Sequence, residues 1–271
     1  MTRNVGCIRL GLAECAATTE AALRALSKVR TPAELAGLME AVTAEIGFRH
    51  YALIHHDDLR GSPADRVKIL DYPVAVEQRI ISEATWRRDP VIRASLFAQR
   101  AFRWSEIGDI ITLDGRDEDC LRMGAKAGLN EGITVPFHLL GECTGSCTFA
   151  GTRAPRRSRR YLGVAQMVGV FAFQAARRVV GISDIRAPRP RLQPRPRDCI
   201  VLIGRGLSNK EIARALGITP RTVDGYLTEV RQLFDAHDRT ELVISALFAG
   251  EIGLGELRPG QPEHSLGLRQ G

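Results

Sequence analysis

Hydroxyl, carboxylate and cationic side chains are spread along the stretch GLSNKEIARALGITPRTVDGYLTEVRQLF, residues 206–234. Ser208, with Glu211 three residues later, predicts a capped helix that ends at Gly217. Thr219, followed by Pro220, predicts the start of a second helix. On such a pair, Lys and Arg can neutralise phosphates, while hydroxyls and carboxylates can bond base edges in the major groove. The candidate DNA contacts are Ser208, Lys210, Arg214, Arg221, Thr222, Asp224, Thr228 and Arg231.

The charge of the chain bears on whether this helix pair binds a polyanion. The formal net charge is +7, and a surplus of clustered Lys and Arg attracts polyanions. One arginine group is Arg156, Arg157, Arg159 and Arg160, and the other is Arg186, Arg189, Arg191, Arg195 and Arg197. Solvated surfaces also carry charge runs, and an ordinary helical hairpin has the same helix pattern. DNA binding and a plain helical hairpin therefore both stay open on these features.

The spacing of the cysteine and histidine residues gives little support for metal or redox chemistry. The six cysteines include no CxxC pair, and no histidine lies at zinc-ligand spacing. His55 and His56 are neighbours on a predicted strand and would point to opposite faces of the sheet. Arg9 and Glu14 interrupt the N-terminal apolar residues, which argues against a signal peptide. We expect no metal, no cofactor, no catalytic residue and no membrane span, and a cytoplasmic protein with reduced thiols.

The elements of the first 180 residues alternate between helical and strand patterns. Helices are predicted at about 31–46, 74–87, 90–100, 118–128 and 158–180, the first of them capped by Thr31 and ending at Gly47. Strands are predicted at 50–56, 133–140 and 144–151, the last two forming a hairpin. Helices around a small, largely antiparallel sheet predict an α+β fold with an α/β/α sensory domain at residues 18–182.

The remaining residues divide into a linker, a helical domain and a tail. Pro188, Pro190, Pro194 and Pro196 lie in the stretch 183–196, which is predicted to be a linker because proline disrupts regular elements. Residues 197–256 are predicted to form an all-α domain that contains the helix pair of residues 208–234. Residues 257–271 have a turn-forming composition and are expected to be a mobile tail.

The helical domain resembles a known family. The segments SNKEIA, LGITPRTVDGYLTEV and DRTELVISALFAGEI resemble the C-terminal DNA-binding domain of LuxR-type regulators. The resemblance implies an all-α helix-turn-helix domain of four helices that binds a palindromic DNA site as a homodimer, with a recognition helix at about Thr219–Phe234. Asp224 and Gly225 depart from the family, which commonly has a cation and a larger residue there. A carboxylate at this place repels phosphate and favours a base donor such as the cytosine amino group.

The first domain resembles the quorum-sensing branch of the same family, whose N-terminal domain binds acyl-homoserine lactones. The segments DYPVAVEQRIISEATWRRDPVIRASLFAQRAFRWSEI and NEGITVPF place Tyr72, Pro73, Asp89, Pro90, Trp104 and Gly132 at the expected spacing. The resemblance implies that Tyr72 donates to a ligand carbonyl and that Asp89 accepts from an amide N–H. It implies further that Thr148 reaches the same group, that Trp104 lines the apolar part and that Gly132 belongs to the site.

The resemblance fails at two places in the pocket. Val76 replaces the tryptophan that donates to the lactone carbonyl, and Ile80 replaces an aromatic residue. An unsatisfied buried carbonyl costs about 1–3 kcal/mol, so a lactone is disfavoured and a different amide-bearing or more apolar head group is expected. The sequence thus predicts a ligand-responsive transcriptional regulator. Alternatives are a regulator that needs no ligand and an enzyme or cofactor protein tethered to DNA, while Asp89 and Trp104 could simply cap a helix and fill the core.

Overall fold

A computed structural model of the 271-residue chain describes residues 15–56, 66–82, 85–139, 144–182 and 191–258. The side chains of residues 80–82, 85, 86, 156 and 157 lie outside that description. The chain forms two compact units, residues 1–185 and 186–271. Each unit has its own hydrophobic core, so each is described by itself.

The centre of the N-terminal unit is an antiparallel sheet, five-stranded in its described part, with the strand order β2-β1-β5-β4-β3. The strands are β1 (His50–His55), β2 (Lys68–Leu70), β3 (Phe102–Arg103), β4 (Gly132–Phe137) and β5 (Gly145–Ala150). Thr148 of β5 lies opposite Ala52 on one side and Thr134 on the other. The predicted α+β class and the β4–β5 hairpin are confirmed.

Helices cover both faces of this sheet. Helix α1 (residues 15–26), α2 (Pro32–Glu45) and α7 (Leu162–Val180) pack on one face, where Leu53, Val135 and Phe149 belong to their core. The opposite face carries α3 (Val74–Ser82), α4 (Pro90–Phe97), α5 (Ile107–Ile110) and α6 (Gly115–Lys126). Because successive strand residues point to opposite faces, Ala52 and Ile54 meet Ile92 on this second side. The predicted α/β/α layering is therefore confirmed.

Several predicted elements of this unit differ in their extent. The helix predicted at 74–87 ends at Ser82, and a 3₁₀ turn, Thr85–Arg88, follows it. The last helix of this unit was predicted to begin at Ser158. Residues Pro155–Tyr161 form a 3₁₀ segment instead, and α7 begins at Leu162. Strands β2 and β3 and helix α5 had no predicted counterpart. Elements of two to four residues are too short to show a periodic pattern.

The C-terminal unit is helical throughout its described part. It consists of α8 (Pro194–Gly204), α9 (Asn209–Leu216), α10 (Pro220–Phe234), α11 (Arg239–Phe248) and the short α12 (Leu254–Leu257). Its core contains Ile200, Ile212, Val223, Leu227 and Leu242, all buried. The two predicted helices of the helix-turn-helix are confirmed, together with their caps Ser208 and Thr219 and the left-handed Gly217 between them (φ 66°).

The predicted linker is too long at its C-terminal end. Pro194 and Pro196 lie in the first turn of α8, although they were expected to interrupt regular structure. The first N–H groups of a helix have no acceptor within it, so proline is tolerated there. Arg197, assigned to an arginine cluster, instead pairs with Glu256 at 2.7 Å and donates to the Glu251 carbonyl at 2.8 Å. The proposed linker residues 183–190 and the tail residues 259–271 lie outside the described residues.

Two properties of the described residues bear on other classes of function. No helix in that part of the chain is both long enough and apolar enough to cross a bilayer. Over the same residues, no group of three or more His, Cys, Asp or Glu side chains is arranged to hold a metal ion.

Candidate functional site

A mostly apolar cavity of about 60 Å³ lies between the second face of the sheet and helices α3, α4 and α6. The strands contribute Ile54, Ser146 and Thr148, because alternate strand residues point to this side. The helices and connections supply the rest of the wall. These residues are Tyr72, Val76, Arg79, Asp89, Val91, Ile92, Trp104, Cys120, Leu121, Gly124 and Leu129.

Four polar side chains form a hydrogen-bonded row along the cavity face of the sheet. The indole Nε1 of Trp104 donates to Thr134 Oγ1 at 3.0 Å, and Thr134 Oγ1 lies 3.0 Å from Thr148 Oγ1. Thr148 in turn bonds the hydroxyl of Tyr72. The indole can only donate, so the proton order Trp104 to Thr134 to Thr148 to Tyr72 satisfies each group. This order leaves the phenol proton of Tyr72 to be donated into the cavity.

The state of Tyr72 suits a donor. Burial raises the pKa of its phenol well above the usual range, with the Asp89 carboxylate as a smaller cause. The phenol therefore keeps its proton at any physiological pH. A buried carbonyl from a bound molecule would find its partner here.

Asp89 has a structural role and also faces the cavity. Its Oδ1 accepts from the backbone N–H groups of Val91 at 2.9 Å and Ile92 at 3.2 Å, which caps α4. Its Oδ2 lies 3.8 Å from the Cys120 thiol, which receives a hydrogen bond from Arg79 Nη2 at 2.8 Å. Burial raises the pKa of Asp89, and the two backbone N–H groups and Arg79 oppose that change. The capping alternative is confirmed, and Oδ2 is placed to accept from a ligand N–H.

Cys120 is held as a thiol. Burial and the neighbouring Asp89 carboxylate raise the pKa of Cys120 to about 11, although Arg79 acts in the opposite direction. A thiolate is the reactive form of cysteine, so this side chain contributes a weak polar contact to the cavity wall and no nucleophile.

Five predicted ligand residues meet around the cavity: Tyr72, Val76, Asp89, Trp104 and Thr148. Gly132 does not line it. A Cβ at residue 132 would lie 2.6 Å from Trp104 Cε2, so glycine lets the indole pack on β4. The side chain of Ile80 lies outside the described residues. The predictions missed Arg79 and Cys120; Arg79 had a signal, since it follows Val76 by one helical turn.

On the C-terminal unit, most of the predicted DNA contacts are exposed. Lys210, Arg214 and Arg221 have exposed side chains on α9 and α10. Ser208 caps α9 reciprocally, since Glu211 N–H reaches Ser208 Oγ at 3.4 Å and Ser208 N–H reaches Glu211 Oε2 at 2.8 Å. Arg231 is half-buried, and its Nε is buried without a hydrogen-bond partner. Of the predicted cations, Arg231 is thus the least available to DNA.

The candidate base-reading residues of α10 already have partners within the unit. Thr228 Oγ1 donates to the Asp224 carbonyl at 2.9 Å, and the hydroxyls of Thr222 and Thr219 are 2.8 Å apart. The Asp224 carboxylate accepts from the side-chain amide of Asn209 on α9. Asp224 and Thr228 share a face of α10, whereas Thr222, two residues from Asp224, does not. Asn209 was missed by the sequence-based predictions.

Two known protein families match this chain, one in each of its two units. Residues 31–179 match the family described as autoinducer binding domain, and residues 191–246 match the family of bacterial regulatory proteins, luxR family. The chain belongs to the LuxR family of autoinducer-binding regulators. The resemblance inferred from the sequence is confirmed, and the family makes this protein a LuxR-type transcriptional regulator.

Relatives of this LuxR-family chain are transcriptional regulators. It is 26% identical over 232 residues to a Sinorhizobium fredii protein named HTH-type transcriptional regulator y4qH, covering 83% of this chain and 70% of that protein. It is 27% identical over 169 residues to the transcriptional activator protein AhyR of Aeromonas hydrophila, covering 60% of this chain and 64% of AhyR. The chain thus aligns with somewhat less than two thirds of AhyR.

Solved structures share the fold of this LuxR-family protein. Escherichia coli SdiA has a TM-score of 0.56 at 18% identity, covering 86% of this chain and 97% of SdiA. A structure of SdiA in complex with octanoyl-rac-glycerol has a TM-score of 0.54 at 18% identity, covering 85% of this chain and 93% of that one. At this identity the likeness concerns the fold alone.

The raised pKa of Asp89 predicts a pH-dependent component of stability. The pKa of an aspartate carboxyl in the unfolded chain is about 3.9. A carboxyl whose pKa is higher in the folded protein contributes its full stabilisation at pH values below about 3.9. The contribution is lost as pH rises through the folded-state pKa. Asp89→Asn keeps an acceptor for the α4 cap and removes the titration. We expect urea unfolding curves of the variant, measured from about pH 4 to pH 8, to lose this component.

The control for this measurement is Asp109→Asn, which removes an exposed carboxylate of the same unit. It should keep the wild-type dependence on pH. Parallel stability curves for the wild type and Asp89→Asn would show that burial does not govern the Asp89 carboxyl.

Proposed function

We propose that this LuxR-family protein is a ligand-responsive regulator that senses an apolar small molecule whose head group differs from a homoserine lactone. The observation that carries the proposal is the composition of the cavity. A phenol donor, Tyr72, and a carboxylate acceptor, Asp89, line an otherwise largely apolar wall in which Val76 has no polar group. Apolar pockets with a few placed polar groups are the usual form of small-molecule sites.

The polar groups support an acyl compound that carries an amide or a similar carbonyl. Tyr72 would donate to the carbonyl and Asp89 Oδ2 would accept from an N–H. Val76 itself offers no donor to a lactone carbonyl, and an unsatisfied carbonyl costs about 1–3 kcal/mol; the donor in the wall on the same helix is Arg79, one turn further along α3. SdiA, which shares this fold, has been solved with octanoyl-rac-glycerol, an acyl compound without a lactone ring. The fold therefore accommodates a head group of another kind in at least that protein.

A second candidate is a regulator that works without a ligand. The cavity volume of about 60 Å³ is far below the roughly 300–1,000 Å³ of typical ligand sites. The row from Trp104 to Tyr72 is hydrogen-bonded internally as it stands. A ligand with an acyl chain would therefore have to enlarge the cavity. A protein that works without a ligand would keep the cavity at its present small volume.

The DNA-binding half of the proposal rests on the C-terminal unit. Exposed Lys210, Arg214 and Arg221 on the helix-turn-helix would contact phosphates, and α10 would enter the major groove. We place the protein in the cytoplasm, where bacterial DNA is. Since the relatives are regulators and the Cys120 thiol is held protonated, we propose no catalytic role.

We propose further that the protein acts as a homodimer on a palindromic site. Met167 and Phe171, four residues apart on α7, expose 46% and 42% of their surface. Ile244 and Phe248, four residues apart on α11, expose 43% and 54%. Residues at this spacing form one stripe along a helix, and such apolar stripes are suited to an isologous contact.

The ligand proposal is tested with three probes: N-octanoyl-homoserine lactone, octanoyl-rac-glycerol and an N-octanoyl amide without a ring. We expect the two ringless probes to raise the thermal midpoint of the natural protein, since a ligand at 100 times Kd adds about 2.7 kcal/mol. Val76→Trp combined with Ile80→Tyr should gain about 5- to 150-fold in affinity for the lactone, because the donor is restored.

Val74→Trp is the matched control, because Val74 lies on the same helix, is 68% exposed and does not line the cavity. It should leave all three affinities unchanged. Tight lactone binding by the natural protein would refute the head-group argument. No shift with any probe, together with DNA binding by the protein alone, would favour the ligand-independent candidate.

The DNA contacts are tested with Lys210→Ala. Loss of a phosphate contact should weaken binding to specific and random duplexes alike and reduce the slope of log K against log salt by about 1. Lys126→Ala, which removes an exposed cation from α6 of the other unit, should change neither quantity. Fluorescence anisotropy over a salt series measures both, and identical slopes for wild type and Lys210→Ala would remove Lys210 from the interface.

The dimer surfaces are tested by Phe171→Glu and Ile244→Glu. Burying an unpaired carboxylate at an apolar interface should raise the dimer dissociation constant at least about tenfold in each variant. Leu96→Glu is the control, because Leu96 is equally exposed, at 46%, but lies on α4. Sedimentation velocity reports the assembly. A monomeric natural protein that occupies a single half-site would contradict the proposal.

A further inference from the structure

We propose that Asp224 selects cytosine at one position of each DNA half-site, and that Asn209 and Arg239 orient its carboxylate for this purpose. The inference rests on the proposed DNA binding by α9 and α10. It goes beyond that proposal because it assigns a base and identifies two positioning residues outside the recognition helix.

A line of hydrogen bonds through three helices fixes the Asp224 side chain. Arg239, at the start of α11, donates to the Leu207 carbonyl and to Asn209 Oδ1, both at 2.8 Å. Asn209, at the start of α9, donates from its amide nitrogen to Asp224 Oδ1 on α10. Both Asn209 and Arg239 are half-buried, whereas Asp224 is exposed. The carboxylate therefore has a defined orientation although it lies at the surface.

The second oxygen of this carboxylate remains available. Among the described residues, Asn209 is the only side chain that bonds the Asp224 carboxylate, and it uses Oδ1. Thr228, one turn along α10, bonds the Asp224 carbonyl and lies on the same face. Oδ2 can thus accept one hydrogen bond from outside the protein without breaking the line to Arg239.

A carboxylate in a DNA interface is repelled by phosphates and must find a donor. The donors of the major groove are the amino groups of cytosine and adenine. Adenine also presents the N7 acceptor beside its amino group, guanine presents two acceptors, and thymine presents an acceptor and a methyl group. Cytosine is the one base whose own major-groove edge offers a donor without an acceptor. An oriented carboxylate therefore favours cytosine over the other three bases.

Gly225, next to Asp224, gives independent support. It lies inside α10 and is exposed, and a Cβ added to it would meet nothing within 4 Å. Glycine inside a helix is unfavourable relative to alanine, and the packing of this unit gives no reason for it. The bare backbone at residue 225 allows close approach of DNA beside the carboxylate, which the short Asp224 side chain needs in order to reach a base.

The test is selection of binding sites by the full-length protein from a randomised duplex library at low ionic strength. The natural protein should enrich cytosine at one position in each half-site. Asp224→Ala should lose about 5-fold or more of the preference at that position only, while its affinity for random duplex rises because a repelled charge is gone. Asn209→Ala should weaken the base preference at the same position and leave the preferences at the other positions unchanged.

Glu229→Ala is the matched control, since Glu229 is an exposed acid of α10 five residues away, on another side of the helix. It should raise affinity for random duplex and leave the selected sequence unchanged. Gly225→Ala should raise the thermal midpoint and weaken binding to the selected sequence.

Three outcomes would overturn the inference. An unchanged cytosine preference in Asp224→Ala would remove the role of this carboxylate, and an adenine preference that Asp224→Ala abolishes would refute the assignment of the base. A wild type that neither binds random duplex nor enriches any sequence would refute the proposed DNA binding itself, and the inference would fall with it.

Discussion

The register of the three central strands is the constraint on which the N-terminal unit depends. Ala52, Thr148 and Thr134 lie side by side across β1, β5 and β4, and the pleat sends all three to the same face. Their neighbours Leu53, Cys147 and Val135 go to the opposite face and into the core. A slip of one residue would exchange the two sets, burying hydroxyls in the apolar layer and removing the strand hydroxyls from the cavity face.

The hydroxyls on the cavity face are stable there because each has a partner. Thr134 and Thr148 are buried, and an unpaired hydroxyl at either place would cost about 1–3 kcal/mol. The Trp104 indole satisfies the first, and its close packing on Gly132 brings it within reach. One bulky side chain thus packs on β4 and begins the row of hydrogen bonds that ends at Tyr72.

Local signals in the sequence were sufficient for much of this structure. The caps at Thr31, Ser208 and Thr219 each predicted a helix that is present, because capping depends on residues within one turn. The resemblance to the quorum-sensing branch also predicted five of the residues around the cavity. Pro194 misled the prediction, because a proline in the first turn of a helix resembles one in a linker until the following residues are weighed.

Contacts between distant segments could not be predicted in this way. Strand β2 is three residues long and exists because it pairs with β1. Cys120 enters the cavity through the packing of α6, 31 residues beyond Asp89 in the chain. The amide of Asn209 meets Asp224, 15 residues away, and Arg239, 30 residues away. No spacing rule brings such residues together, since tertiary packing sets their distances.

Residues of the cavity wall differ in whether the fold requires them, and Asp89 is required because it caps α4. Replacing Asp89 by an apolar residue would leave the first turn of α4 without its acceptor, so selection for folding alone tends to retain it. Val76 has no such structural role. It lies on α3, contributes no hydrogen-bonding side chain and can be replaced with little loss of stability. Receptors built on this plan can therefore acquire new signals by substitutions along one short helix, while the acid proposed to bind the ligand is preserved for a reason unrelated to any ligand.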